Sequence, residues 1–248
     1  MEQKIQSYNR IFWDLIQPYS VANDNLLRKM IHSYEVARNC FTVACQRGFS
    51  ERERHFCYLM GLLHDLGRFE QWITYQTFDD RKSVDHGELS YEMLKSLDCG
   101  VLFNLTKREV EILQNAIRYH TKPYHDHALD VVKFNRILQD CDAFSNVITV
   151  ANGMQQMTVQ EDGVTPEILS AFKQRELLII FSPRTKLDRC LALTACCYYV
   201  HDQYLRKQII DCNYLEIIYE TFSQYLNEAD KKVYRQAIDD LKIDYLKK

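Results

Sequence analysis

The stretch Phe56–Phe69, FCYLMGLLHDLGRF, constrains the fold of this chain more than any other. Ser50-Glu51-Arg52-Glu53 stands just ahead of it and reads as a capping box, the reciprocal side-chain pattern that starts a helix. From there Phe56, Cys57, Leu59, Met60, Leu62, Leu63 and Leu66 cover nearly every direction of the helical wheel, and Gly67 is placed to close the helix. A helix that is apolar all round is buried on most sides. Its final turn nevertheless carries His64 and Asp65. An unpartnered buried charge is costly, so the pair must be mutually bonded, coordinated to metal or beside a solvent-filled pocket.

The elements that must surround this strut are also helical. Asn25 to about Gln46 places Leu26, Met30, Tyr34, Ala37, Phe41 and Ala44 on one face, with Gly48 as the stop. Asp85 with Glu88, and Thr106 with Glu109, repeat the capping box ahead of two more helices. The spacing of Phe134, Ile137, Leu138, Cys141, Phe144 and Ile148 predicts a helix over 129–151. Met157–Glu167 is the most polar break. Beyond it four helices are expected, roughly Glu167–Phe181, Thr185–Arg206, Gln208–Leu226 and Asn227–Leu246, with Leu177, Leu187, Leu191, Tyr198, Tyr214, Ile218 and Phe222 as packing residues. Seven glycines and four prolines in 248 residues leave little material for the tight turns of an all-β fold. The expectation is one all-α domain over 1–248, its C-terminal helices (about 165–248) packed on the rest.

Charge and cysteine content exclude several functions. The formal net charge of -3 offers no footprint for a nucleic-acid backbone, and no basic run suits a membrane surface. Nine cysteines, an odd number without a Cys-x-x-Cys pair, sit mostly in apolar helical stretches, where free thiols behave as small hydrophobes. Disulfides and a thiolate zinc site are not expected, and the cytoplasm is the expected compartment. Met1–Arg10 lacks an apolar core and no stretch reaches about 18 apolar residues, so neither a signal peptide nor a membrane span is expected.

Other polar groups fall in similarly enclosed places. His32 lies midway along the first of these helices, opposite its main stripe and aligned with Val36 and Val43. His86 falls in the first turn after Asp85, and His120 ends the Thr106 helix. Asp140 and Asp142 lie about 200° apart on their helix, so periodicity does not choose between them. Any one of these is an ordinary core or helix-end residue taken alone. Imidazoles and carboxylates delivered by different helices of one bundle are, together, how such folds build metal sites.

The ordered set His32, His64-Asp65 and a final Asp, in the contexts LLHDLGRF, DHGELSYEML, AIRYHTK and LQDCDAFSNV, resembles the HD-domain metal-dependent phosphohydrolases, closest to uncharacterised bacterial members, over about residues 25–150. The resemblance implies an HD-domain helical bundle with additional C-terminal helices. It implies His32, His64, Asp65 and Asp142 as core ligands, Asp142 being favoured over Asp140 by the short amphipathic run that follows it. His86 and His120 match the further histidines of binuclear members, in which Asp65 would bridge two ions. The chain lacks the paired histidines and Gly-Tyr-Pro motif of the cyclic-dinucleotide phosphodiesterases, and Thr121 stands where a second His would follow His120.

A divalent ion would activate water and neutralise phosphoryl charge. Imidazole and carboxylate ligands suit Mn, Fe, Co, Ni or Zn. Asp65, Arg68 and Lys122 are the expected catalytic residues, the two cations being placed to meet a substrate phosphate. Arg81, Lys82, Glu70, His125 and His127 carry less weight. Phe69, Trp72, Tyr75 and Phe78 form a stripe that either covers the core or stacks on a base. The expected activity is hydrolysis of a small phosphate ester, a nucleotide by preference. A nucleotide-binding regulatory module and a dinuclear-iron oxygenase are the alternatives.

Overall fold

The computed structural model describes residues 2–19, 23–122, 129–153, 157, 159–175 and 183–247. These are helical as expected. No strand occurs among them, and extended pairing is limited to an isolated bridge between Glu161 and Thr185. Contacts divide the chain into two compact units, Met1–Asp142 and Ala143–Lys248, so the division falls inside a helix rather than at Met157–Glu167.

The first unit comprises α1 (Glu2–Ile16), α2 (Asp24–Gln46), α3 (Glu51–Leu63), α4 (Leu66–Tyr75), a 3-10 turn at Asp80–Lys82, α5 (His86–Lys95), α6 (Cys99–Phe103), α7 (Lys107–Arg118) and the start of α8 (Leu129–Ala151). Every residue of α3 from His55 to Leu63 is buried. Each of Leu59, Leu62 and Leu63 thereby contributes about 1.5–3 kcal/mol. Helix α2 lies directly on α3: a Cβ added to Gly61 would stand 2.8 Å from the Ala37 Cα. Helix α2 is buried on two faces: Leu26, Ala37 and Ala44 of the expected main stripe are fully buried and Met30, Tyr34 and Phe41 half-buried, while His32, Val36, Cys40 and Val43 form a second buried row. Phe12 packs edge-on against Tyr34 and Phe69, joining α1, α2 and α4.

The capping residues act as their chemistry dictates. Ser50 with Glu53 and Thr106 with Glu109 form reciprocal boxes at the starts of α3 and α7. Asp85 caps α5 by accepting from the Glu88 amide, but Glu88 does not return the bond, because its carboxylate is taken by Arg118 at 2.6 and 2.8 Å. Gly67 departs from expectation. The helix stops at Leu63, His64 and Asp65 form a turn, and Gly67 lies in the first turn of α4. The residue is needed for close approach rather than for chain reversal. An added Cβ would meet His86 O and Ser90 N at 2.7 Å, and the Gly67 amide donates to Ser90 Oγ at 2.8 Å.

The second unit contains the end of α8, α9 (Pro166–Lys173), α10 (Lys186–Thr194) running into a 3-10 turn (Ala195–Tyr199), α11 (Gln203–Asp211), α12 (Tyr214–Ser223) and α13 (Glu228–Leu246). The expected helices Thr185–Arg206 and Gln208–Leu226 are cut differently. Asp202 caps a new helix through the Leu205 amide, and Asn213 adopts a left-handed φ of 57° that ends it. Leu187, Leu191, Ile218 and Phe222 are buried as expected, Tyr198 and Tyr214 only partly; Leu177 lies outside the described residues. Asp188, fully buried, is satisfied by Thr165, Arg184 and Thr185. All nine cysteines are free thiols. No helix among the described residues is long and apolar enough to cross a membrane.

Candidate metal centre

The end of α3 delivers His64 and Asp65, with relative exposures of 0% and 2%, to the middle of the first unit. Around them, α2 supplies His32, the first turn of α5 supplies His86, the end of α7 supplies His120 and α8 supplies Asp142. The four imidazoles follow one another in contact, with ring centroids 5.3 Å apart for His32–His64, 5.2 Å for His64–His120 and 4.9 Å for His86–His120. Asp65 reaches both ends of this series. Its Oδ2 lies 3.6 Å from His64 Nε2 and 3.9 Å from His32 Nε2, and its Oδ1 lies 3.4 Å from His86 Nε2 and 3.9 Å from His120 Nε2. Asp142 Oδ1 is 3.0 Å from His32 Nε2 and 3.8 Å from His64 Nε2. Asp140, its rival by spacing, turns toward Arg47 at 4.0 Å.

The proton positions follow from the partners of the other ring nitrogen. His64 Nδ1 meets Gly61 O at 2.8 Å and His120 Nδ1 meets Ile117 O at 2.6 Å. A carbonyl oxygen only accepts, so Nδ1 carries the proton in both rings. His86 Nδ1 meets Asp80 Oδ2 at 2.6 Å. Burial tends to raise the Asp80 pKa, but its bond to His86 and the Arg68 charge hold it below the usual carboxylate range, so this oxygen also accepts. Burial pushes His64, His86 and His120 below the ordinary imidazole pKa, which keeps them neutral. Their Nε2 atoms are therefore bare lone pairs. Burial alone would raise the Asp65 pKa, yet the charges of Lys29 and Arg68 draw it well below the usual range. Asp142 is likewise lowered, against burial, by its bond to His32.

This arrangement fits a cation. His86 Nε2 and His120 Nε2 face each other at 3.1 Å, two acceptors with no proton between them. His64 Nε2 is buried without a hydrogen-bond partner. Neutral imidazoles and ionised carboxylates are the protonation states that metal ligation requires. Among the described residues, two groups have ligand atoms close enough to share an ion: His32, His64 and Asp142, and His64, Asp65 and His120.

Both expected cations are bonded to other protein groups. Arg68 Nη1 donates to Gln71 Oε1, Phe78 O and Asp80 Oδ1, each at 2.7 Å, and Arg68 Nε is 3.7 Å from Asp65 Oδ1. Its guanidinium thus braces the protein instead of reaching outward. Lys122 pairs with Asp85 at 2.9 Å. Arg81 is exposed and pairs with Asp79, and Glu70 accepts from Thr74. Phe69 is core, whereas Trp72 and Phe78 contact each other at 4.9 Å and Tyr75 is exposed. His125 and His127 lie outside the described residues. Sequence reasoning missed Lys29, whose Nζ donates to Asp65 Oδ2 at 2.8 Å and lies 5.4 Å from the Phe78 ring centre. Its position one turn before His32 was the available signal. It also missed Asp80 and the fully buried Gln71, which no local pattern marks.

The helical frame converges four histidines and two aspartates from five segments, a set of side chains that could hold a metal ion within a bundle. Residues 30–147 match the family model described as HD domain, which supports placing this span in the HD-domain superfamily. No match was found among curated proteins or among solved structures.

Proposed function

We infer that this chain is a metal-dependent phosphohydrolase acting on a small phosphate ester, with a nucleotide as the preferred class. The observation that carries the reading is the convergence of the His64, His86 and His120 Nε2 atoms on Asp65, with those of His86 and His120 3.1 Å apart. His32, His64, Asp65 and Asp142 would hold one ion, and Asp65, His86 and His120 a second. When bound, such an ion lowers the pKa of a coordinated water and offsets charge growing on phosphoryl oxygens. The N and O ligands suit Mn, Fe, Co, Ni or Zn.

The chain's own residues do the rest. Asp65 presents one oxygen to each group of ligands. Lys29, 22% exposed at its side chain and bonded to Asp65 Oδ2, is a cation positioned for a phosphate-facing role, with Arg68 Nε 3.7 Å from Asp65 Oδ1. Half-buried Phe78, in contact with Trp72 and 5.4 Å from Lys29 Nζ at its ring centre, offers a base a ring to stack on.

The test is metal analysis of protein purified without chelator, followed by assay on a panel of phosphomonoesters and phosphodiesters. Bound transition metal and hydrolysis, both lost in Asp65→Ala, are expected. Metal without hydrolysis would overturn the reading in favour of a binding module. Oxygen uptake by the iron-loaded protein would overturn it in favour of an oxygenase.

A further inference from the structure

The imidazoles of the centre are not oriented in the same way. His64 and His120 each turn their Nδ1–H back to the carbonyl three residues earlier, Gly61 O and Ile117 O, so their own helices aim them. His86 lies in the first turn of α5 and is aimed from outside, by Asp80 Oδ2 at 2.6 Å. The other Asp80 oxygen, Oδ1, accepts from Arg68 Nη1 at 2.7 Å and Gln71 Nε2 at 2.9 Å. Gln71 also donates to Ser83 Oγ at 2.8 Å and Val84 O at 2.9 Å. One buried amide on α4 therefore ties down the loop that carries Asp80 up to the start of α5. Arg68 and Gln71 follow the His64-Asp65 pair by about one and two turns, so the loop and the pair are referenced to the same helix.

We propose that Asp80 is the positioning residue of the centre: its carboxylate fixes the His86 tautomer and aims Nε2 at Asp65 Oδ1 and His120, and Arg68 and Gln71 hold it in place. The consequence is unequal support. The side of the centre that includes His86 depends on a loop carboxylate, whereas the group at His32, His64 and Asp142 does not. A carboxylate behind a ligating imidazole raises its basicity, and its loss typically lowers metal affinity by about 10–100-fold. This proposal rests on the metal reading for its consequence but not for its geometry.

Two measurements separate them. Long-range 1H–15N correlation on the metal-free protein, at a pH where imidazoles are neutral, reads the His86 tautomer. Wild type should show the proton on Nδ1, and Asp80→Ala should lose that preference while His64 and His120 are unchanged; in Asp80→Asn the single amide oxygen is drawn to the Arg68 and Gln71 donors, which turns the NH2 toward His86 Nδ1 and should move the proton to Nε2. Calorimetric titration with Mn2+ should then show two binding events in wild type, of which Asp80→Ala weakens one about 10–100-fold and leaves the other. An unchanged His86 tautomer in Asp80→Ala, or equal weakening of both events, would overturn the proposal. Absence of any Mn2+ binding in wild type would overturn the metal reading, and the tautomer would still decide the role of Asp80.

Discussion

Substituting Gly67 by alanine tests how the fold sets the site. The new Cβ would stand 2.7 Å from two α5 backbone atoms, His86 O and Ser90 N, where ordinary contact begins at 3.4 Å, so α4 and α5 must separate by about 0.7 Å. Backbone has no rotamer with which to yield, and overpacking of this kind costs about 1–3 kcal/mol. Stretching the Gly67 N to Ser90 Oγ bond adds about 1 kcal/mol. The better helix propensity of alanine returns about 1 kcal/mol, leaving a net loss of about 1–3 kcal/mol. Urea unfolding should report that loss. Because the clash is at the carbonyl of His86, the metal-binding event assigned to His86 and His120 should weaken as well. Gly48→Ala is the control: it meets nothing within 4 Å, carries only the strain of a positive φ and lies away from the centre, so its metal binding should match wild type. Gly67→Ala as stable as wild type with both metal events intact would refute the close-approach argument.

Three further outcomes are expected. Asp142→Ala should lose metal from the purified protein, whereas Asp140→Ala, which removes a partner of Arg47, should lower the unfolding midpoint and leave metal content intact. Acid should weaken the first unit through its capping boxes. Glu53, bonded to Lys133 and Ser50, and Glu109, bonded to Arg52, are lowered to about 2 from the ordinary 4.5, so their contribution is complete above about 4.5 and fades as pH falls toward 2; Glu109→Gln should flatten that part of the pH profile of the urea midpoint. In the second unit, Tyr234→Phe strips the fully buried Thr194 hydroxyl of its 2.7 Å partner and should cost about 1–2 kcal/mol by urea unfolding.

Local rules carried much of this protein in plain view. Ser50, Glu53, Thr106 and Glu109 announce their helix starts because a cap is a bargain among residues three apart, and α8 falls at 129–151 because apolar period alone sets its extent. The same rules misplaced Gly67, since a glycine needed for a neighbouring helix looks in sequence like one needed for a turn. They also missed the break at Asn213, where a left-handed residue interrupts an otherwise unbroken apolar spacing.

For the site, the residue types and order were enough to gather His32, His64, Asp65, His86 and His120, because polar groups on enclosed helix faces must be answered by something. Choosing Asp142 over Asp140 required a family resemblance in sequence and a 3.0 Å approach to His32 in space. The supporting cast was beyond reach. Lys29 and Asp80 are ordinary charges along the chain, and Arg68 looked like a substrate contact until Gln71, Phe78 and Asp80 were found around it. Sequence determined which groups had to be buried and hence that they needed partners; only the packing of α2, α4, α5, α7 and α8 around α3 decided which partners they have, because those distances belong to no single segment.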